Sequence, residues 1–301
     1  MRRPRIFQFP LLAVVLFISA LPAASWAGTP KATLKTPHGF PDPTIQNKAA
    51  EGHAKDYKYQ SSVLTDPKTN EGAWRNVKVY TPHGYDETVK YPVLYLLHGH
   101  MSSYEDWKEY GYADVIIDNL ISNDQIPAMI VVMPENRCRL DQKNAAGQYI
   151  DDRASYLRFE GELINDLVPF INSTFSTGPV QALAGCSEGA EQALFFGWSN
   201  PGLFTAIGAF SPGDDLVKHV YQNLLPVGGM TPCQFDNNPA WPSIWLSCGN
   251  VDTTGKIPIC DDLRTYMKKE EITHTFNFID GGHTWPVWQV SLYYFAQAFS
   301  Q

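Results

Sequence analysis

The sequence predicts an α/β protein: a mostly parallel sheet of about eight strands with helices on both faces. Three observations carry this expectation. Six short apolar runs recur along the chain without polar alternation, the pattern of strands covered on both sides. Helix-period segments separate them, as crossovers between parallel strands require. Ahead of them lie two alternating segments, the mark of an antiparallel pair with one face in water.

The chain opens with a basic stretch (Arg2, Arg3, Arg5), an apolar run from Leu11 to Leu21 and the small-x-small triplet Ser25-Trp26-Ala27. Those three parts in order predict a signal peptide over residues 1–27. The apolar run falls short of the ~20 residues that a membrane span needs. Residues 28–56 are polar and turn-rich, with little to bury, and read as an N-terminal extension. One catalytic domain is expected over 57–301, since no linker or repeat divides that stretch.

Within it, YKYQSSVL (57–64) and RNVKVYTP (75–82) are the alternating pair, expected at a sheet edge. YPVLYLLHG (91–99), AMIVVMPEN (128–136), VQALAGCS (180–187), AIGAFSPG (206–213), SIWLSCGN (243–250) and TFNFIDGG (275–282) are the buried strands. Helical patterns cover 156–175 and 260–271, and the long connection 214–241 reads either as a cover over the strand ends or as a structural insertion.

Cleavage after Ala27 removes three arginines and no acid, taking the formal net charge from −8 to −11. So acidic a chain is a poor partner for nucleic acid or anionic membrane, and neither is expected as a ligand. No later apolar run reaches membrane-spanning length, and the predicted location is secreted or periplasmic. Five cysteines leave at least one thiol unpaired. Cys186 and Cys248 end apolar runs and read as buried core residues. Cys233 and Cys260 stand in loop-like sequence and form the expected disulfide. The cysteine spacings fit no zinc pattern, so no metal is expected.

The chemistry centres on Gly185-Cys186-Ser187-Glu188-Gly189, a G-x-S-x-G motif between an apolar run and a helical one. Glycines on either side permit a tight turn that raises Ser187 at a helix N-terminus, where developing negative charge is favoured. The plain alternative is a helix-capping serine. A hydroxyl nucleophile needs a base, and among eight histidines only His283 follows the serine and also lies beyond the last predicted strand. Asp252, just beyond SIWLSCGNV, is the expected acid, with Asp214 as runner-up. The chain order Ser187, Asp252, His283 is that of an α/β-hydrolase triad. The oxyanion donors are then the backbone N–H of Glu188 and, in the loop after LLHG, of His100. His98 is read as fixing that loop. Trp107 and Trp285 are candidates for a platform under an aromatic acyl group or sugar ring, and Trp288 reads as core.

From about Tyr57 to Phe299 the chain resembles the esterase-D-like esterases, which include the feruloyl and acetylxylan esterases of carbohydrate esterase family 1. The resemblance rests on VKVYTPHGYDETVKYPVLYLLHG, AGCSEGAEQAL, IGAFSPG, LSCGNVD and GGHTWPVW followed by SLYYFAQAF. It implies an α/β-hydrolase fold, Ser187 as nucleophile, Asp252 as acid, His283 as base, no metal or organic cofactor, and hydrolysis of carboxylic esters, often on plant polysaccharides. The chain departs from the family in two places: His100-Met101-Ser102-Ser103 replaces a glycine-rich loop, and Glu188 stands where Met is common. An acyltransferase resembling the mycolyltransferases, and a noncatalytic carbohydrate-binding protein on the same scaffold, both stay open on sequence alone.

Overall fold

The structure, a computed structural model, describes residues 33–34, 36, 51–65, 68–139, 153–213, 242–269 and 271–300. Its strands are β1 (Thr33–Leu34), β2 (His53–Thr65), β3 (Gly72–Thr81), β4 (Tyr91–Leu97), β5 (Ile130–Pro134), β6 (Thr177–Cys186), β7 (Ala206–Phe210), β8 (Ser243–Gly249) and β9 (His274–Ile279). They form one sheet in the order β1-β9-β8-β7-β6-β4-β5-β3-β2. Every pairing from β1 across to β5 is parallel, and only β3 and β2 run antiparallel to their neighbours. This is the α/β-hydrolase architecture that the sequence predicts.

The helices are α1 (Asp106–Glu109), α2 (Ala113–Ser122), α3 (Arg153–Glu162), α4 (Val168–Thr174), α5 (Glu188–Ser199), α6 (Lys256–Lys269) and α7 (Trp285–Phe299), with a π turn at Leu163–Leu167 joining α3 to α4. Alternation along β4 explains how they distribute. Val93, Tyr95 and Leu97 point to the layer that also holds Leu163, Leu167, Leu194 and Leu263. Leu94 and Leu96 point to the opposite layer, with Ile116, Leu120, Leu292 and Phe295. Both faces are therefore apolar, which is why the strand reads as an unbroken hydrophobic run. No described helix is long and apolar enough to cross a membrane.

The sheet departs from the sequence expectation at its two edges. β2 begins at His53, inside the stretch read as an extension, because residues 53–56 pair with 78–81 of β3 and Asp56 forms an ion pair with Lys78. Thr33 and Leu34 add a two-residue strand beside β9. Backbone ladders and an ion pair hold these segments, so hydrophobic pattern carried no sign of them. Residues 1–27 and the connection 214–241 lie outside the described residues.

The expected Cys233–Cys260 disulfide is not formed. Cys260 is a buried, free thiol inside α6, packed against Cys248 and within 3.9 Å of the Ser247 carbonyl. Pro258 gave the segment a loop-like look, but proline is tolerated in a first helical turn. Cys233 lies outside the described residues. Cys138, Cys186 and Cys248 are likewise buried and free.

Candidate active site

The site lies beyond the C-terminal ends of the central strands. After β4 the chain moves outward to β5, then returns to lay β6 on the other side of β4. Loops leaving β4 and β6 consequently diverge, and such a switch point is where open α/β sheets bind their ligands.

Ser187 is the single residue between β6 and α5. Its N–H donates to Phe210 O at 2.9 Å, continuing the pairing of β6 with β7, while its carbonyl accepts from Ala190 and Glu191 in the first turn of α5. Serving as strand end and helix start together forces φ 53° and ψ −117°, a conformation that costs a non-glycine residue of order 1–3 kcal/mol. The side chain makes no capping hydrogen bond to α5. Its Oγ instead lies 3.0 Å from His283 Nε2, which excludes the capping alternative for this serine.

His283 follows β9 and the pair Gly281-Gly282; its Nδ1 lies 2.8 Å from Asp252 Oδ2. The other carboxylate oxygen accepts from Thr254 N–H at 2.9 Å and Thr254 Oγ1 at 2.6 Å. Burial pushes the Asp252 carboxyl up, but the Thr254 hydrogen bonds and His283 outweigh it and hold it below the ordinary carboxylate range. An ionised Asp252 only accepts, so Nδ1 carries the proton and Nε2 offers its lone pair to Ser187. Asp280 is directed elsewhere, to Asn250 Nδ2 at 3.1 Å, and Asp214 lies outside the described residues.

Asn250 is a residue that sequence reading missed. Its Oδ1 accepts from Gly281 N–H at 3.0 Å, and Val251 N–H donates to Gly281 O at 3.1 Å. The loop bearing Asp252 is thus tied directly to the loop bearing His283.

Turn 99–102 passes beside the serine: a Cβ on Gly99 would sit 3.3 Å from Ser187 Cβ. Its base is fixed by fully buried His98, which meets Gly99 O through Nδ1 at 2.9 Å and Glu135 through Nε2 at 3.2 Å. Asn136 Nδ2 donates to His98 O at 2.9 Å, and Gln192 Nε2 of α5 donates to Asn136 O at 3.0 Å. Burial raises Glu135, yet His98 and Arg137 more than offset that and bring it to about 2. The segment 135–139 is in turn held from below, because Arg75 donates to the carbonyls of Glu135 and Arg137. Arg75 also pairs with Glu162, a fully buried carboxylate that further accepts from Tyr59, Ser61 and Cys138.

Glu188 opens α5, so its N–H is among the donors without an intrahelical acceptor. Its side chain meets His100, whose Nδ1 lies 2.9 Å from Glu188 Oε2. The two tryptophans separate. Trp107 is only 1% exposed, and its indole N–H donates to Leu97 O at 2.8 Å. It offers no face to a ligand, and the platform expected of it is corrected to a support beneath Trp285, 5.3 Å away edge to face. Trp285 is partly buried and packs beside exposed Tyr110 at 6.0 Å. Trp288 packs edge-on against the His283 ring at 5.0 Å.

Residues 71–297 match the model of the family described as "Putative esterase". The chain belongs to this esterase family. It is 33% identical over 189 residues to an endo-1,4-beta-xylanase/feruloyl esterase of Xylanibacter ruminicola, matching 60% of this chain and 23% of that protein. The chain thus spans about a quarter of that relative's length. Among solved structures it is similar to a CE1 ferulic acid esterase of Anaeromyces mucronatus, with TM-score 0.67 and 25% identity over 86% of this chain and 95% of that one. It also shares the fold of the feruloyl esterase module of Clostridium thermocellum, with TM-score 0.63 and 16% identity over 90% and 95% of the two chains.

Proposed function

We propose that this esterase is exported and cleaves feruloyl or acetyl esters of carbohydrates, with Ser187 as nucleophile, His283 as general base and Asp252 as the acid that orients it. The contact chain Ser187 Oγ to His283 Nε2 to Asp252 carries the reading. His283 takes the serine proton as Oγ attacks the ester carbonyl, and the Glu188 and His100 backbone N–H groups receive the oxyanion. The imidazolium, stabilised by ionised Asp252, then protonates the leaving alcohol. Water attacks the acyl-enzyme along the same route and releases the acid. The feruloyl class is supported by the names of the relatives, and the partly exposed Trp285 with Tyr110 gives an aromatic acyl group a surface to lie on. Export rests on residues 1–27.

The test is Ser187→Ala assayed beside the parent protein on methyl ferulate, acetylated xylan and p-nitrophenyl acetate. Loss of all turnover with unchanged folding is expected, and a variant that still hydrolyses any of the three refutes the nucleophile.

A further inference from the structure

The residues proposed to supply the two oxyanion donors also touch through their side chains. His100 sits in the turn after β4 and Glu188 opens α5, 88 positions apart, yet His100 Nδ1 lies 2.9 Å from Glu188 Oε2. We propose that His100 and Glu188 act as one positioning unit that straps the oxyanion hole and screens the Glu188 carboxylate from the charge developing there. The inference rests on the reading of Ser187 as nucleophile and of these two N–H groups as donors.

The turn itself shows why a strap is useful. Residues 99–102 close through a long Ser102 N–H to Gly99 O bond of 3.3 Å, and Met101 stands in the left-handed region at φ 58°. Met101 is exposed, and the His100 side chain is 57% exposed. Little apolar burial therefore anchors the tip, although its base is pinned through His98. The His100 ring gains a second hold by stacking on Tyr156, 6.4 Å away at 26°. Glu188 is the more fixed partner, being the first residue of a helix whose following residues are buried. Tying the loop to it sets the separation of the two N–H groups, and misplacing an oxyanion donor weakens a contact made mainly in the transition state.

Charge gives the second half of the argument. A carboxylate beside a developing oxyanion opposes the reaction, because like charges in a site partly shielded from water repel strongly. The Nδ1–H of His100 donates to that carboxylate and draws its charge toward the loop. An exposed pair of this kind adds little to folding stability, so its removal is read in turnover and not in melting temperature.

The experiment compares His100→Ala, Glu188→Gln and the double variant with the parent enzyme on methyl ferulate, with melting temperature as the folding control. His100→Ala leaves a bare carboxylate by the hole and is expected to lower kcat about tenfold, less than loss of a whole donor, with KM within about twofold. Glu188→Gln keeps an acceptor for His100 but weakens its hold on the loop, and is expected to lower kcat about threefold. The double variant is expected to be no slower than His100→Ala, the mark of two residues acting together. Parental kcat in His100→Ala, a loss confined to KM, or a double variant slower by the product of both single effects overturns the unit. If His100→Ala does not fold, Glu188→Ala replaces it: a kcat loss exceeding that of Glu188→Gln supports the strap, and equality overturns it. Turnover by Ser187→Ala would sink the underlying site reading instead, so the two failures are told apart.

Discussion

Gly189 approaches the end of β4 so closely that a Cβ on it would lie 2.5 Å from the His98 carbonyl oxygen and 2.6 Å from that of Leu97. Gly185 is equally confined, its hypothetical Cβ meeting the Gly189 carbonyl group at 2.5 Å. Both glycines of the motif are thus there for space, and α5 seats directly on the neighbouring strand. Gly189→Ala must push α5 off β4 against backbone atoms that cannot yield. The expected cost is about 1–3 kcal/mol, at roughly 2–4 °C of melting temperature per kcal/mol for a domain of this size. Ser187 is displaced with the helix. Calorimetry and methyl ferulate kinetics should show both losses together.

The strained backbone of Ser187 leads to a contrast between two variants. Ser187→Ala keeps a Cβ in the unfavourable conformation, whereas Ser187→Gly removes it. Glycine also has more unfolded-state freedom to lose, which offsets part of the gain. Neither variant is expected to turn over substrate, but the glycine variant should be the more stable of the two by about 1 kcal/mol. Chemical denaturation of both, side by side, checks this.

Thr254 supplies two hydrogen bonds to Asp252 and so keeps the acid ionised. The folded carboxyl titrates below its ordinary range. Its stabilising effect is therefore fully present above the unfolded carboxyl pKa and disappears as pH falls through the folded one. Thr254→Val removes the hydroxyl donor at similar size. It should destabilise the protein by about 1–2 kcal/mol at pH 7, with the difference from the parent shrinking in acid below the Asp range. Urea melts across that interval give the measurement.

Arg75 neutralises the buried carboxylate of Glu162 at 2.8 Å. Arg75→Met fills similar space but leaves that charge with neutral partners, for which about 3–5 kcal/mol of destabilisation is expected. Changing Glu162→Gln in the same chain should recover much of the loss. Melting temperatures of the single and double variants report it.

Trp285→Ala should raise KM for methyl ferulate several-fold while leaving p-nitrophenyl acetate near its parental value, because only the larger acyl group reaches the ring. Trp107→Ala is expected to act as a core mutation instead, costing about 3–5 kcal/mol. Kinetics with both esters, read against thermal melts, separate the two tryptophans.

How far the sequence could be read follows from where each signal resides. Strands β4 to β9 were visible because burial on both faces writes a continuous apolar run. Ser187, Asp252 and His283 were visible because each follows such a run at a glycine-rich break. Trp107 misled because exposure of an aromatic depends on what packs over it, and nothing local announces the Leu97 carbonyl. Glu162 looks like an ordinary helix glutamate in YLRFEGELINDL, while its partners Tyr59, Ser61, Arg75 and Cys138 lie 103 to 24 positions away. Cys260 was read as loop-like, whereas it lies buried within α6. The Glu188–His100 contact was equally hidden, since two departures from a family pattern look unrelated until the fold sets them side by side.

The spacing of the site along the chain bears on when it can first react. Asp252 and His283 stand on loops that follow β8 and β9, and His283 comes 96 positions after Ser187. During synthesis the serine elbow can therefore form well before anything is present to draw off its proton. On the proposed triad, a chain that stops short of residue 283 carries the Ser187 hydroxyl without the imidazole that would activate it.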